Sequence, residues 1–251
     1  MSYNPYSLAG KTILVTGAAS GIGRATSVEC SKLGARLVLA DIDGPGMAET
    51  LAMLAQPELE HLTFTVDLCD EEAIADMVGR LPVLDGVSNN AGITKLVPVQ
   101  FIGADDFERI HKVNLLAPIL LTKCLVKKKK IVRGGSIVFT ASAAGVYRVS
   151  VGNAIYATTK CGVDAFMRTA ALELAPKGIR CNSVNPGMVE TPLIKRGQVT
   201  DEQHEKDKEN YPLGRYGKPE DVAFATIYLL SDASCWMTGT ALKIDGGMTL
   251  S

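Results

Sequence analysis

The sequence predicts an α/β protein of three layers, a doubly wound parallel sheet of about seven strands with helices on both faces. Three observations predict it. Short, β-branched and nearly continuous apolar runs alternate with helical text along the chain. Strands of that kind are buried on both faces, and the helices between them supply the cover. The first strand runs into a glycine-rich turn that opens a helix. The unusual polar and small residues gather at the carboxyl ends of the apolar runs, where open α/β sheets bind ligands. With 251 residues and no linker or composition break, residues 1–251 read as a single domain.

The elements follow in order. "KTILVTG" is a strand closing at Gly17, and helical text runs from Gly21 to about Leu33, where Gly34 ends it. "ARLVLAD" is the second strand, ending in Asp41, and "LTFTVDL" around Phe64 is the third. "DEEAIADMVGRL" begins with acids and continues as an amphipathic helix. "LDGVSNNAG" is a short fourth strand closing at Asn89 to Gly92, and two helices are expected between Asp105 and Lys130. "GGSIVFTAS" is the fifth strand, up to Ser142; a helix then runs from about Tyr156 to Ala175, with "APKG" ending it. "IRCNSVNPG" is the sixth strand, "PEDVAFATIYLLS" another amphipathic helix and "TALKIDGG" the last strand.

Composition narrows the function. Hydrophobic residues make up 47% and charged residues 21%, enough for a large core and against wholesale disorder. A net charge of -1 gives no global pull toward nucleic acid or membrane. The basic run Lys127 to Lys130 reads as the wet end of a helix rather than a polyanion site. The six cysteines have neither zinc-knuckle nor C-x-x-C spacing, and His61 and His111 have no metal-like partners, so no metal is expected. "MSYNPYSLAGK" is too short and polar for a signal peptide, and no apolar run reaches membrane-spanning length. Together with free thiols these features point to a cytoplasmic protein. Cys161, next to Lys160, reads as a packing residue, and His204 as a solvated one.

"TGAASGIG", from Thr16 to Gly23, lies between the first strand and first helix. Gly17 permits the sharp turn, Gly21 removes a side chain where backbone approaches a ligand, and Gly23 lets the helix pack against the sheet. The free N–H groups of the first turn, around Ser20, Gly21, Ile22 and Gly23, then face a diphosphate. An ordinary glycine turn is the plain alternative. The strand before, the helix after and the acid ending the next strand favour a dinucleotide in a Rossmann fold. Asp41 is placed to bind the adenosine ribose hydroxyls and repel a 2′-phosphate, predicting NAD(H) over NADP(H). Arg24 and Arg36 stand against that if Asp41 points away, and Asp41 could instead cap a turn with Asp43 and Gly44. Asp67 either meets the adenine or caps the helix starting near Asp70.

In "IYATTKCGVDAF", Tyr156 and Lys160 stand four apart, so they project side by side from one helix face. Two unit charges about 4 Å apart at an effective dielectric of about 20 interact by about 4 kcal/mol, and about 1.4 kcal/mol is one pKa unit. Lys160, with oxidised nicotinamide nearby, is therefore expected to bring Tyr156 toward neutrality as a proton acceptor or donor for an alcohol or carbonyl. Hydride would move to or from the cofactor as the proton moves. A buried tyrosine beside a snorkelling lysine is the alternative.

With "TGAASGIG", "NNAG" at Asn89 to Gly92, Asn114 in "VNLL", Ser142 in "FTASAAG", "YATTK" at Tyr156 to Lys160 and "NPGMVET" at Asn185 to Thr191 in this order, the chain resembles the short-chain dehydrogenase/reductase family. "YPLGRYGKPEDVA" and "DGG" are most similar to its 3-oxoacyl-carrier-protein reductase-like members. The resemblance implies Tyr156 as acid/base, Ser142 as a hydrogen bond to the substrate oxygen, and Lys160 on the nicotinamide ribose. It implies a relay water held by Asn114, Asn90 near the adenosine ribose, and Val189 and Thr191 at the carboxamide. Leu68, beside Asp67, joins the cofactor set. The segment "AAGVYRVSVGNAI" would form an apolar substrate wall, and about 190–218, charged and irregular, a closing lid. Tetramers are frequent in the family, pairing helices that here are about Asn114 to Lys129 and Tyr156 to Ala175. The leading expectation is an NAD(H)-dependent oxidoreductase acting on a secondary alcohol or ketone. A 3-oxoacyl thioester reductase and a non-catalytic NAD(H)-binding regulator are the alternatives.

Overall fold

The structure, a computed structural model, describes residues 3–195 and 200–250. Its strands are β1 (Thr12–Thr16), β2 (Arg36–Asp41), β3 (Leu62–Thr65), β4 (Leu84–Asn89), β5 (Ile131–Thr140), β6 (Arg180–Pro186) and β7 (Ala241–Ile244). They form one seven-stranded sheet in the order β3-β2-β1-β4-β5-β6-β7, and every pairing is parallel. The chain winds outward from β1 to β3, then returns beside β1 to continue the other way. The strand order reverses between β1 and β4, and that crevice is where a doubly wound sheet opens to a ligand.

Two apolar clusters explain why the strands are hydrophobic throughout. Leu14, Val38, Val87, Ile137 and Phe139 face one side, while Ile13, Val15, Leu37, Leu39 and Val184 face the other. Side chains alternate along a strand, so both sets come from the same runs. The first cluster is covered by α3 (Glu71–Arg80), α5 (Ala117–Lys127) and α6 (Ala154–Leu174), and the second by α1 (Gly21–Lys32) and α9 (Pro219–Leu230).

The structure departs from the sequence reading in several places. Gly44–Met53 forms a helix, α2, that the element order above does not include; Asp43 caps it by accepting the Gly46 N–H, and a proline occupies the first turn. The two helices expected between Asp105 and Lys130 are α4 (Ala104–His111) and α5, joined without a break by a π-helical turn, Lys112–Leu116. β5 begins at Ile131, earlier than the expected Gly134. The span expected to be irregular at 190–218 contains α7 (Pro192–Lys195) and α8 (Asp201–Lys208); a capping box at Thr200 and Gln203 starts α8. Lys128 and Lys130 do more than solvate a helix end. They donate to the carbonyls of Ala75, Gly79 and Leu81, closing the C-terminus of α3. His61 is a structural link, accepting the Leu37 N–H at Nδ1 and meeting the Ala55 carbonyl at Nε2. No helix among the described residues is long and apolar enough to cross a membrane.

Candidate active site

A cleft of about 750 Å³ opens beyond the carboxyl ends of β1, β2, β4 and β5, at the reversal of strand order. Gly17, Ser20, Gly21, Ile22, Asp41, Asp67, Leu68, Asn90, Tyr156, Lys160 and Thr191 all border it. Most of the sequence-predicted residues are thus brought to one place.

At one end the backbone makes the wall. Gly17 has φ 66°, and a Cβ there would stand 2.9 Å from Ala91 Cα. A Cβ on Gly23 would meet the Gly17 carbonyl at 2.0 Å, so α1 approaches the turn as closely as only glycine allows. Gly23 is buried behind the cleft rather than lining it. Ser20 is the N-cap of α1 but makes no side-chain cap, and no acid sits in the first turn. By contrast, Asp43 caps α2 and Asp70 caps α3. The first-turn N–H groups of α1 therefore remain open to an anion from the cleft. These features fit a dinucleotide diphosphate.

Asp41 stands at the cleft with both oxygens engaged: Oδ2 accepts the Ala19 N–H and Oδ1 the Asp43 N–H, each at 3.0 Å. It both braces the glycine turn and faces the cleft. Arg24 turns away, donating to Thr50 Oγ1 at 3.0 Å, Glu49 Oε2 at 2.8 Å and the carbonyls of Ala19 and Gly46. Arg36 begins β2, at the opposite end of that strand from Asp41, and donates to the Glu60 carbonyl. Asp67 accepts the Cys69 N–H at 2.8 Å, and Asp70 itself caps α3, so Asp67 is not the helix cap. Asn90 donates Nδ2 to the carbonyls of Thr16 and Gly17 and accepts from Thr140 Oγ1. It clamps the end of β1 to β4 and β5 while bordering the cleft.

At the other end α6 presents Tyr156 and Lys160. Lys160 Nζ donates to the Thr140 carbonyl at 2.6 Å and lies 5.7 Å from the Tyr156 ring centroid. Burial lowers the Lys160 pKa to about 8. Burial raises the Tyr156 phenol, and a hydrogen bond with Ser142 partly offsets that. Within the protein alone desolvation dominates and the lowering partner is Ser142, whereas the draw expected of Lys160 was to act together with oxidised nicotinamide. Ser142 Oγ also accepts the Ala144 N–H at 3.0 Å.

Asn114 occupies the π-turn and is buried. Its Oδ1 accepts the Ile93 N–H at 2.8 Å, and its Nδ2 donates to the Ile93 carbonyl at 2.9 Å and Thr159 Oγ1 at 3.3 Å. A Cβ on Gly92 would lie 3.4 Å from Asn114 Oδ1 and 3.5 Å from Lys160 Nζ, so both groups face the same space above that glycine. π-turns inside α-helices occur frequently at functional sites.

Two predicted residues sit differently from expectation. Val189 packs its side chain into the core instead of bordering the cleft, whereas Thr191 borders it and would stand 3.2 Å from a Cβ on Gly21. His204 is not simply solvated: its Nδ1 lies 3.3 Å from Tyr216 Oη. Thr140 and Ile93 were missed because they act through main-chain atoms, which no side-chain pattern marks.

Known proteins resemble this chain in sequence and fold. A family model described as enoyl-(acyl carrier protein) reductase matches residues 17–249. A 3-oxoacyl-[acyl-carrier-protein] reductase of Thermotoga maritima is 35% identical over 249 residues, covering 97% of this chain and 99% of that protein. A (3R)-3-hydroxyacyl-CoA dehydrogenase of Rattus norvegicus is 34% identical over 248 residues, covering 94% and 95%. The crystal structure of a putative 2-deoxy-d-gluconate 3-dehydrogenase from Agrobacterium tumefaciens with bound NADP superposes with a TM-score of 0.89 at 30% identity, covering 99% of this chain and 100% of that one. The chain belongs to the short-chain dehydrogenase/reductase family, as an oxidoreductase resembling its 3-oxoacyl-carrier-protein reductase-like members.

Proposed function

We propose that the protein is an NAD(H)-dependent oxidoreductase that interconverts a small-molecule secondary alcohol and its ketone, with Tyr156 as acid/base. The observation that carries this reading is the pair of half-buried Tyr156 and buried Lys160 side by side at the cleft, with Ser142 hydrogen-bonded to the phenol. Gly17, Ser20, Gly21, Ile22 and Gly23 would hold the diphosphate, Asp41 and Asn90 the adenosine ribose, and Asp67 and Leu68 the adenine. Thr191 would meet the nicotinamide amide through its side chain. Val189 would do so through its main chain: Gly217 bonds the Met188 carbonyl and the Glu190 N–H, so that bridge uses neither main-chain group of Val189.

The bound nicotinamide supplies the carbon that gives or takes hydride. Tyr156 Oη takes the proton from the alcohol oxygen or returns it to the carbonyl, and Ser142 Oγ steadies that oxygen. Lys160 Nζ fixes the nicotinamide ribose and keeps a cation beside the phenol. The Asn114 side chain is spent on Ile93 and Thr159, so contact with a relay water falls to its main chain.

NAD(H) is favoured because Asp41 borders the cleft while Arg24 and Arg36 are committed elsewhere. Residues 190–218 would be the lid, of which 196–199 lie outside the described residues. A homotetramer is supported by exposed Leu116 and Leu172 on the helices expected to pair, and a cytoplasmic location by six free thiols. A second reading, 3-oxoacyl thioester reduction, is favoured by the likeness to the Thermotoga protein. The test is a screen of secondary alcohols, ketones and an acetoacetyl thioester with NAD(H) and NADP(H), followed by nicotinamide absorbance. Turnover with NAD(H) preferred is expected. Tight NADH binding with no turnover across the panel would overturn the reading in favour of a regulator.

A further inference from the structure

We propose that the substrate carries its reacting carbon on an apolar chain, and that Leu96, Val149 and Val151 form the surface on which that chain lies. The inference deepens the reading given above and rests on it, with Tyr156 and Ser142 as the groups that meet the alcohol or ketone.

Two segments leave the reacting groups on different sides and meet again. One starts at Ser142. It folds into a tight turn, in which the Tyr147 and Arg148 N–H groups donate to the Ala143 carbonyl at 2.9 and 3.1 Å and the Gly145 N–H donates to the Arg148 carbonyl at 2.6 Å. A Cβ on Gly145 would lie 2.9 Å from the Ala157 carbonyl, so the turn is seated on the start of α6. The other segment starts at Ile93, which borders the cleft and donates its N–H to Asn114. The Val97 N–H donates to the Gly152 carbonyl at 2.7 Å and closes the two segments into one frame. A Cβ on Gly152 would stand 3.4 Å from Val97 N and 3.6 Å from Leu96 Cβ, so the segments are in contact there. Tyr156 lies in the first turn of α6, and a helical side chain leans toward the N-terminus of its helix. The phenol therefore lies on the side of α6 that the frame borders.

The frame offers apolar surface and keeps its charges elsewhere. Leu96 is exposed, and Val149 and Val151 are among the five most exposed large apolar side chains of the described residues. Exposed apolar residues scattered singly are ordinary, but these three stand on one closed pair of segments beside the reacting phenol. No side chain from Val149 to Ile155 is ionisable. Lys95 is paired with Asp106 at 2.7 Å. The Tyr147 ring centroid lies 5.3 Å from Lys243 Nζ on β7, and the Arg148 charge acts on the Tyr211 phenol, so both side chains lean toward β7 and the cluster of Tyr211, Ala143 and Met248. A substrate ending in a carboxylate or in several hydroxyls would leave Val149 and Val151 wet. An alkyl chain would cover them and release their water.

The test is a series of 2-alkanols, from butan-2-ol to nonan-2-ol, oxidised with NAD⁺. A fully buried methylene is worth about fourfold, and an open surface supplies about half of that free energy, so kcat/KM should rise about twofold per methylene, or about 30-fold across the series. In Val149→Ser combined with Val151→Ser the rise should shrink to about fivefold or less. Val83→Ser, at an exposed position just before β4 and at the opposite end of the sheet from the cleft, should keep the full rise. 3-Hydroxybutyrate should be a poorer substrate than 4-methylpentan-2-ol, its apolar counterpart. A second arm, 3-oxobutanoyl and 3-oxooctanoyl thioesters with NADH, distinguishes a free chain from one delivered as a thioester, and the gain with length is expected in whichever arm turns over faster. A flat series in both arms, with turnover present, overturns this inference and leaves the reading of Tyr156 standing, as does 3-hydroxybutyrate outrunning its counterpart. A rise that survives the double serine variant overturns the placement of the chain; a fall in oligomer mass by light scattering in that variant would then assign Val149 and Val151 to a contact between copies. No turnover of any alcohol, ketone or thioester overturns the reading of Tyr156 and this inference with it.

Discussion

The two ends of the cleft are built by opposite means. At the cofactor end the wall is backbone, and the constraint is steric: a single added carbon on Gly23 would sit 2.0 Å from a carbonyl. At the proposed substrate end the wall would be side chains on loops. Val149 and Val151 are 80% and 90% exposed, and α8 leans on the body through Tyr211, Tyr216 and His204. The difference explains why the two ends teach different things. A backbone cradle admits one kind of ligand group, so it identifies the cofactor class. Exposed loop side chains admit many shapes, so they leave the substrate open. Tyr156 stands where the two ends meet.

The largest expected effect breaks the molecule at that meeting point. Tyr156→Phe should lower turnover by about 10²- to 10⁴-fold, the usual weight of a general acid/base, with NADH affinity nearly unchanged. Equal loss of both, read by steady-state kinetics and NADH fluorescence titration, would mean that Tyr156 belongs to the cofactor end only. Next, Gly23→Ala should weaken NADH binding by about 100-fold and cost about 3 kcal/mol of stability, because the neighbour is a carbonyl and cannot rotate away. Normal binding and melting in that variant would show that the cofactor wall yields.

Lys160 tests the boundary through pH. Burial lowers its pKa from the ordinary 10.5 to about 8. Between those values the unfolded chain holds the proton and the folded chain does not, so stability rises with pH across that window. Below it both states are protonated, and the fold carries the penalty of a buried cation. Relative to Lys160→Met, the wild type should therefore gain stability from pH 8 to pH 10, on the order of 2 kcal/mol, in chemical denaturation. A flat difference would place the ammonium in contact with water. Asp41→Ala, back at the cofactor end, should raise the ratio of NADP⁺ to NAD⁺ efficiency by about 10-fold, since one carboxylate's repulsion of a phosphate is worth about 1.4 kcal/mol or more. An unchanged ratio would remove Asp41 from cofactor choice.

The same asymmetry governs what could be read without coordinates. Gly17, Gly21 and Gly23 were legible because their contribution is the absence of a side chain, which residue identity states outright. The Tyr156–Lys160 pair was legible because helical spacing alone puts both on one face. The π-turn at Asn114 was not: nothing in "HKVNLLAP" distinguishes a π-turn from an α-turn, since the distinction lies in which carbonyl each N–H selects. The Thr140 carbonyl that receives Lys160 was invisible for the same reason. The desolvation that raises the Tyr156 phenol in the protein alone was not legible either, because burial is a property of the whole fold. α2 was not read, and its start at "GPG" carries glycines and a proline that serve a turn as readily as a helix start.

The smallest effect is expected at Tyr216, and it sharpens the contrast between the ends most directly. Tyr216 is buried, and its Oη donates to Asp207 Oδ2 at 2.9 Å and lies 3.3 Å from His204 Nδ1, both on α8. Because the phenol already donates to Asp207, its oxygen accepts from His204. Tyr216→Phe removes both bonds and keeps the ring against Tyr211. Other ties of α8 persist, including Lys208 to Glu190 at 3.6 Å and the Tyr211 N–H to the Lys208 carbonyl at 3.0 Å. His204 and Asp207 are half-buried and can recover part of their bonding from water. The net cost should be about 1 kcal/mol, or about fivefold in the substrate KM, with NADH affinity unaltered. A parallel fivefold loss in NADH affinity would show that α8 closes over the cofactor as well, and that the two ends are one mechanical unit.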